Sequence, residues 1–156
     1  MKISRTKALS HKASLLLILC AFVPLCEAEV SFKNDVMPVF MRGGCNAGDC
    51  HGSARGKDGF MLSLFGYDPE GDFFRIMEEH PGRRVNLSNP ESSLLLTKMA
   101  GTVNHSGGEI FAADSKYYQT VLRWLEAGAP RDAEGAPEPV RIEFEPDRFD
   151  FDKPEG

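Results

Sequence analysis

Apolar positions in this chain fall at helical spacing in three places. The strictest run is Tyr118, Val121, Leu122 and Leu125, at i, i+3, i+4 and i+7, which predicts a helix from about Ser115 to Ala127, ended by Gly128 and Pro130. Phe32, Val36, Val39 and Phe40 predict an opening helix around Asp35 to Met41, in which Pro38 is tolerable only in the first turn and which Gly43-Gly44 stops. A middle helix is announced by Ser88-Asn89-Pro90-Glu91: Ser88 can cap, Pro90 suits the first turn and Glu91 occupies the capping-box position. Leu94, Leu95 and Leu96 would be its buried face. The expected fold is therefore all-α, with its compact part over residues 30 to 130.

The two ends read differently. Residues 1–28 have a basic start (Lys2, Arg5, Lys7, Lys12) and then a mostly apolar stretch from Ala13 to Leu25, too short to span a bilayer. This is the pattern of a signal peptide, with cleavage expected after Ala28, where Cys26 and Ala28 satisfy the small-residue rule. At the other end, residues 132–156 open with a Pro/Ala/Glu linker, after which Val140, Ile142 and Phe144 alternate with charged residues as a half-buried strand does. A lone strand is not stable. It either pairs with the preceding domain or opens a further one.

Removing the leader changes the composition that matters. Cys45 and Cys50 are the only thiols left of four, and 14 basic residues face 22 acidic ones, a net charge of −8. Residues 132–156 carry −6 of that and residues 29–131 only −2. A chain without a basic stripe or basic amphipathic helix is not built for nucleic acid or a membrane surface.

Those two thiols lie in a loop with six glycines between positions 43 and 59, within Cys45-Asn46-Ala47-Gly48-Asp49-Cys50-His51. Two thiols that can add to porphyrin vinyl groups, followed by an imidazole placed beneath the iron, are what a c-type haem requires. Gly52 would let the chain lie against the ring. The usual spacing is C-x-x-C-H, whereas here it is C-x-x-x-x-C-H. Three other chemistries use the same residues: a Cys45–Cys50 disulfide in a secreted structural domain, a zinc site built from both thiols and two histidines, and a redox-active dithiol.

Several blocks, in order, carry a resemblance: Phe32-Lys33-Asn34-Asp35-Val36-Met37-Pro38, Gly44 to Gly52, Asn89-Pro90-Glu91-Ser92-Ser93-Leu94-Leu95-Leu96, His105-Ser106-Gly107-Gly108, and Trp124-Leu125-Glu126-Ala127-Gly128-Ala129-Pro130. Over about residues 31 to 130 the chain resembles the single-haem cytochrome c family. More narrowly, it resembles the cytochrome-like domain at the front of large exported planctomycete proteins, in which the longer cysteine spacing is the normal form. The resemblance implies a small helical domain (29–131) around one covalent haem c, a redox partner protein or fused domain, and one-electron transfer outside the cytoplasm, periplasmic or extracellular. It also implies that Val140 to Phe151 begins an immunoglobulin-like module.

A second axial ligand is then needed, and His105 stands where single-haem cytochromes carry a Met-Pro segment. Met99 is the alternative, although a Met beside leucines suits packing. Met61 and Met77 have weaker claims, and His80 reads as a surface turn residue. Ligands on both sides of the iron leave no open position for a substrate, so an electron carrier is expected rather than an enzyme. Arg83 and Arg84 are candidates for pairing with haem propionates, with two solvated turn arginines as the plain reading. Trp124 and Phe40 are expected to pack the first helix against the last.

Overall fold

The computed structural model describes residues 29–137, 140, 141 and 143. A π-helical turn, Phe32–Val36, runs directly into helix α1, Met37–Arg42. Pro38, which has no N–H to give, is the second residue of α1, where the run changes from π-helical to α-helical register. Gly43 caps α1 and Gly44 leaves it with φ +67°. The long loop that follows carries both cysteines and ends in a 3-10 turn, Leu64–Gly66.

Helix α2, Pro69–Met77, is absent from the sequence expectation although it has clear start signals. Asp68 accepts from the Gly71 N–H as N-cap, and Pro69 takes the first position. Its Asp72 is fully buried, with one carboxylate oxygen accepting from the Ser63 N–H and the other from the Ser63 hydroxyl, both at 2.6 Å. Arg75 supplies a charged partner at 3.1 Å. This network anchors the far end of the cysteine-bearing loop to α2.

The middle of the chain is less helical than its capping signals imply. Pro90–Ser92 is a single 3-10 turn, and α3 is the short segment Leu94–Met99. Ser88 caps nothing; its N–H and that of Asn89 instead turn back to the Asn86 side chain. Only Leu96 of the three leucines is in the core, while Leu94 and Leu95 are half-buried and face a cavity. Side-chain capping by Asn86 won over the Ser88/Glu91 box because it closes a turn within four residues.

Helix α4, Lys116–Glu126, matches its expectation nearly residue for residue. Ser115 accepts from the Tyr118 N–H as N-cap, and Tyr118, Val121, Leu122, Trp124 and Leu125 are all buried. Trp124 packs against Phe32 (ring centres 5.2 Å) and Phe73 (6.1 Å), so it joins α4 to both the π-helical turn and α2. Phe40 is buried in the same core and also lines the cavity.

Segment 131–137 closes the chain on itself. The Asp132 carboxylate accepts from the Phe32 and Lys33 N–H groups at 3.0 and 2.7 Å, capping the first helical turn from 100 residues away. Arg131 meanwhile pairs with Glu70 and Glu78 of α2 and covers the Phe73 ring. The described residues are helical with no strand, one isolated bridge between Lys57 and Phe60 apart, so the fold is all-α. Among them, no helix is long and apolar enough to cross a membrane. The expected signal peptide, residues 1–28, lies outside the described residues. So does most of the expected strand, of which Val140 is described and is 98% exposed.

Candidate functional site

The sequence-selected residues converge. Cys45, Cys50, His51, Met99 and His105 all line one cavity of about 310 Å³, walled by apolar side chains that include Phe40, Leu62, Leu94, Leu95 and Ile110. Lys57, Arg83 and Lys98 bring positive charge to the same lining. Both thiols are free, which leaves the disulfide without support in this geometry. Among the described residues no three His, Cys, Asp or Glu side chains gather as a metal-ion ligand set, so the zinc reading has no site.

His51 is positioned by its backbone before its ring is considered. Its N–H donates to the Cys45 carbonyl at 2.9 Å, and its own carbonyl accepts from Leu62 at 2.8 Å. The Cys45–Gly52 loop folds back so tightly that a Cβ on Gly52 would lie 2.1 Å from the Asn46 carbonyl oxygen. The loop's own backbone thus requires glycine at position 52. Nδ1 of His51 donates to the Phe60 carbonyl at 2.9 Å. That carbonyl sits at the exit of a two-residue turn, Asp58-Gly59, both with left-handed φ (53° and 75°), closed by reciprocal Lys57–Phe60 backbone bonds. The Asp-Gly dipeptide signals such a turn in the sequence, though not what its carbonyl would hold.

His105 is fixed by a similar device. Its carbonyl accepts from the Gly108 N–H at 2.8 Å, closing a tight turn, and its Nδ1 donates to the Gly108 carbonyl at 3.0 Å. A Cβ on Gly107 would stand 3.0 Å from Cε1 of the ring, so a larger residue there would push the imidazole by a few tenths of an ångström. Ser106-Gly107-Gly108 is therefore the mount of the imidazole. Lys98 holds the preceding carbonyl, that of Asn104.

With both Nδ1 atoms donating to these carbonyls, each ring keeps Nε2 as the nitrogen with an available lone pair. The rings are parallel to within 4° and their centres are 6.4 Å apart. Burial holds His51 below the usual imidazole range, partly offset by the Phe60 carbonyl and reinforced by nearby His105, so its neutral form prevails at neutral pH. Burial, with Cys50 adding to it, pushes the Cys45 thiol up to about 11, keeping it protonated.

The arginine expectations need correction. Arg84 is 5% exposed, and its guanidinium is spent on the carbonyls of Arg75 (2.6 Å) and Gly59 (3.0 Å) and on Glu79 (2.9 Å), so it is neither solvated nor left over for a propionate. Arg83 is exposed while lining the cavity. Met99 is 4% exposed in the core, and its carbonyl accepts from Ile110 and Phe111, which makes it a packing and loop-anchoring residue as well as a wall of the cavity. His80 is exposed, as expected of a turn. Comparison with family models, curated proteins and solved structures gives no match.

Proposed function

We propose that this chain is an exported, c-type cytochrome-like domain that carries one covalent haem and transfers single electrons without transforming a substrate. The observation that carries the reading is the pair of parallel imidazoles, each with Nδ1 committed to a carbonyl, on the same cavity as both free thiols. Metal–imidazole bonds of about 2.0–2.1 Å, with the ring centre roughly 1 Å further back, put two rings on one metal about 6 Å apart, which fits the 6.4 Å spacing.

In this reading Cys45 and Cys50 would hold the haem as thioethers through its vinyl groups, and His51 and His105 would supply the imidazoles that ligate its iron. The haem supplies the one-electron couple of its iron when bound. The chain's own part is to hold both rings in one tautomer and to keep water from the buried face with Phe40, Leu62, Leu94, Leu95 and Ile110. Lys57, Arg83 and Lys98 are the cations suited to propionates. The domain would work with a redox partner, or as the haem module of a longer exported protein.

A pyridine haemochrome spectrum, with the intact mass of the mature protein, tests this after expression alongside a cytochrome c maturation system. One added haem and a bis-thioether spectrum are expected. An unmodified mass, or one two hydrogens lighter, overturns the reading. Carbon monoxide should leave the reduced spectrum unchanged at neutral pH, because no axial position is open.

A further inference from the structure

We propose that Arg84 is the positioning residue for His51. It braces the turn whose carbonyl selects the protonated nitrogen of the ring, and it places a buried positive charge at the cavity that raises the reduction potential of a haem held there. The first half stands on the apoprotein's geometry; the second rests on the haem reading above.

The Asp58-Gly59 turn is closed by a single bridged pair, and an isolated two-stranded pair of that size does not hold itself. What holds it lies outside it. One Arg84 nitrogen donates to the Gly59 carbonyl inside the turn, another to the Arg75 carbonyl at the end of α2, and the guanidinium plane covers the Phe60 ring at 4.6 Å. Phe60 in turn lies 4.7 Å from the His51 ring, centre to centre, and its carbonyl accepts from His51 Nδ1 and from the Lys57 N–H. Arg84 therefore touches the ring that packs on His51 and the Gly59 carbonyl, one peptide before the Phe60 carbonyl that orients His51. A lysine offers no planar fork able to bond two carbonyls and cover an aromatic face together.

The same placement has an electrostatic consequence. Glu79 is the acidic partner of Arg84, and its side chain is 39% exposed against 6% for Arg84, so solvent screens the anion more than the cation. Reduction removes one positive charge from the iron. A poorly screened cation beside the cavity disfavours the oxidised state and raises the potential.

Three variants test this: Arg84→Gln, Arg84→Lys and Glu79→Gln. Nitrogen NMR of the His51 ring in the unloaded protein should show one Nδ1–H tautomer in wild type, a mixture with Nε2–H in Arg84→Gln, and partial recovery in Arg84→Lys. In the haem-loaded protein, Arg84→Gln should lower the reduction potential and Glu79→Gln should raise it. A folded Arg84→Gln protein with unchanged tautomer and potential overturns the proposal. If Arg84→Gln does not fold, Glu79→Gln decides, because it leaves Arg84 in place, and an unmoved potential then sinks the electrostatic role. Should wild type take up no haem, the haem reading falls while the tautomer measurement still decides the positioning role.

Discussion

His51 and His105 donate Nδ1 to backbone carbonyls at nearly the same length, 2.9 and 3.0 Å, yet their mounts differ in kind. The His51 mount is assembled from four separate segments: the cysteine loop, the Asp58-Gly59 turn, Arg84 and the buried Leu62 strut. The His105 mount is one glycine turn that bonds to itself, on a loop whose other residues from 101 to 109 are exposed. Few buried contacts and self-contained bonds mark the part of a molecule that opens most easily. One imidazole is thus built into the core, whereas the other is carried on a local, exposed loop.

The largest break of that asymmetry is His51→Ala, expected to abolish stable holoprotein, whereas His105→Ala should keep covalent haem, become high-spin and bind carbon monoxide; absorption spectra of the two distinguish them. Next is Gly52→Ala, whose Cβ would fall on the Asn46 carbonyl. A cost of about 3 kcal/mol is expected by denaturant unfolding. Third is pH on the unloaded protein. Cys45 is raised from 9.0 to about 11 in the fold, so its contribution is complete below pH 9 and is lost as pH rises through 11, a loss of about 3 kcal/mol that Cys45→Ala should remove. His51 is lowered from 6.5, so its stability is present above pH 6.5 and is lost as pH falls through the folded value. Fourth, His105→Met should keep a low-spin haem and raise its potential, since thioether ligation favours the ferrous state. The smallest effect belongs to Gly107→Ala, which meets the His105 ring at 3.0 Å and should shift the haem spectrum while costing under about 1 kcal/mol.

The sequence was most legible where one helix answers to one core. Helix α4 could be read from Tyr118 to Leu125 because its apolar period and Ser115 cap agree. Helix α2 was overlooked because Gly71 and an exposed Phe74 blur its stripe, although Asp68-Pro69 marks its start. The site was legible as a list: Cys45, Cys50, His51 and His105 reach one cavity. Its supports were not. Burial of Arg84 depends on carbonyls of residues 59 and 75 and on Glu79, and burial of Asp72 depends on Ser63; no periodicity encodes such meetings.

The cap that Asp132 places on Phe32 and Lys33 brings the two ends of the helical unit side by side. A few residues of linker would then join residue 137 to residue 30, and the ring so formed can be reopened at an exposed turn such as Pro81-Gly82. Such a circular permutant would preserve every bond that mounts His51 and His105 while freeing both termini for attachment at another face, in a chosen orientation.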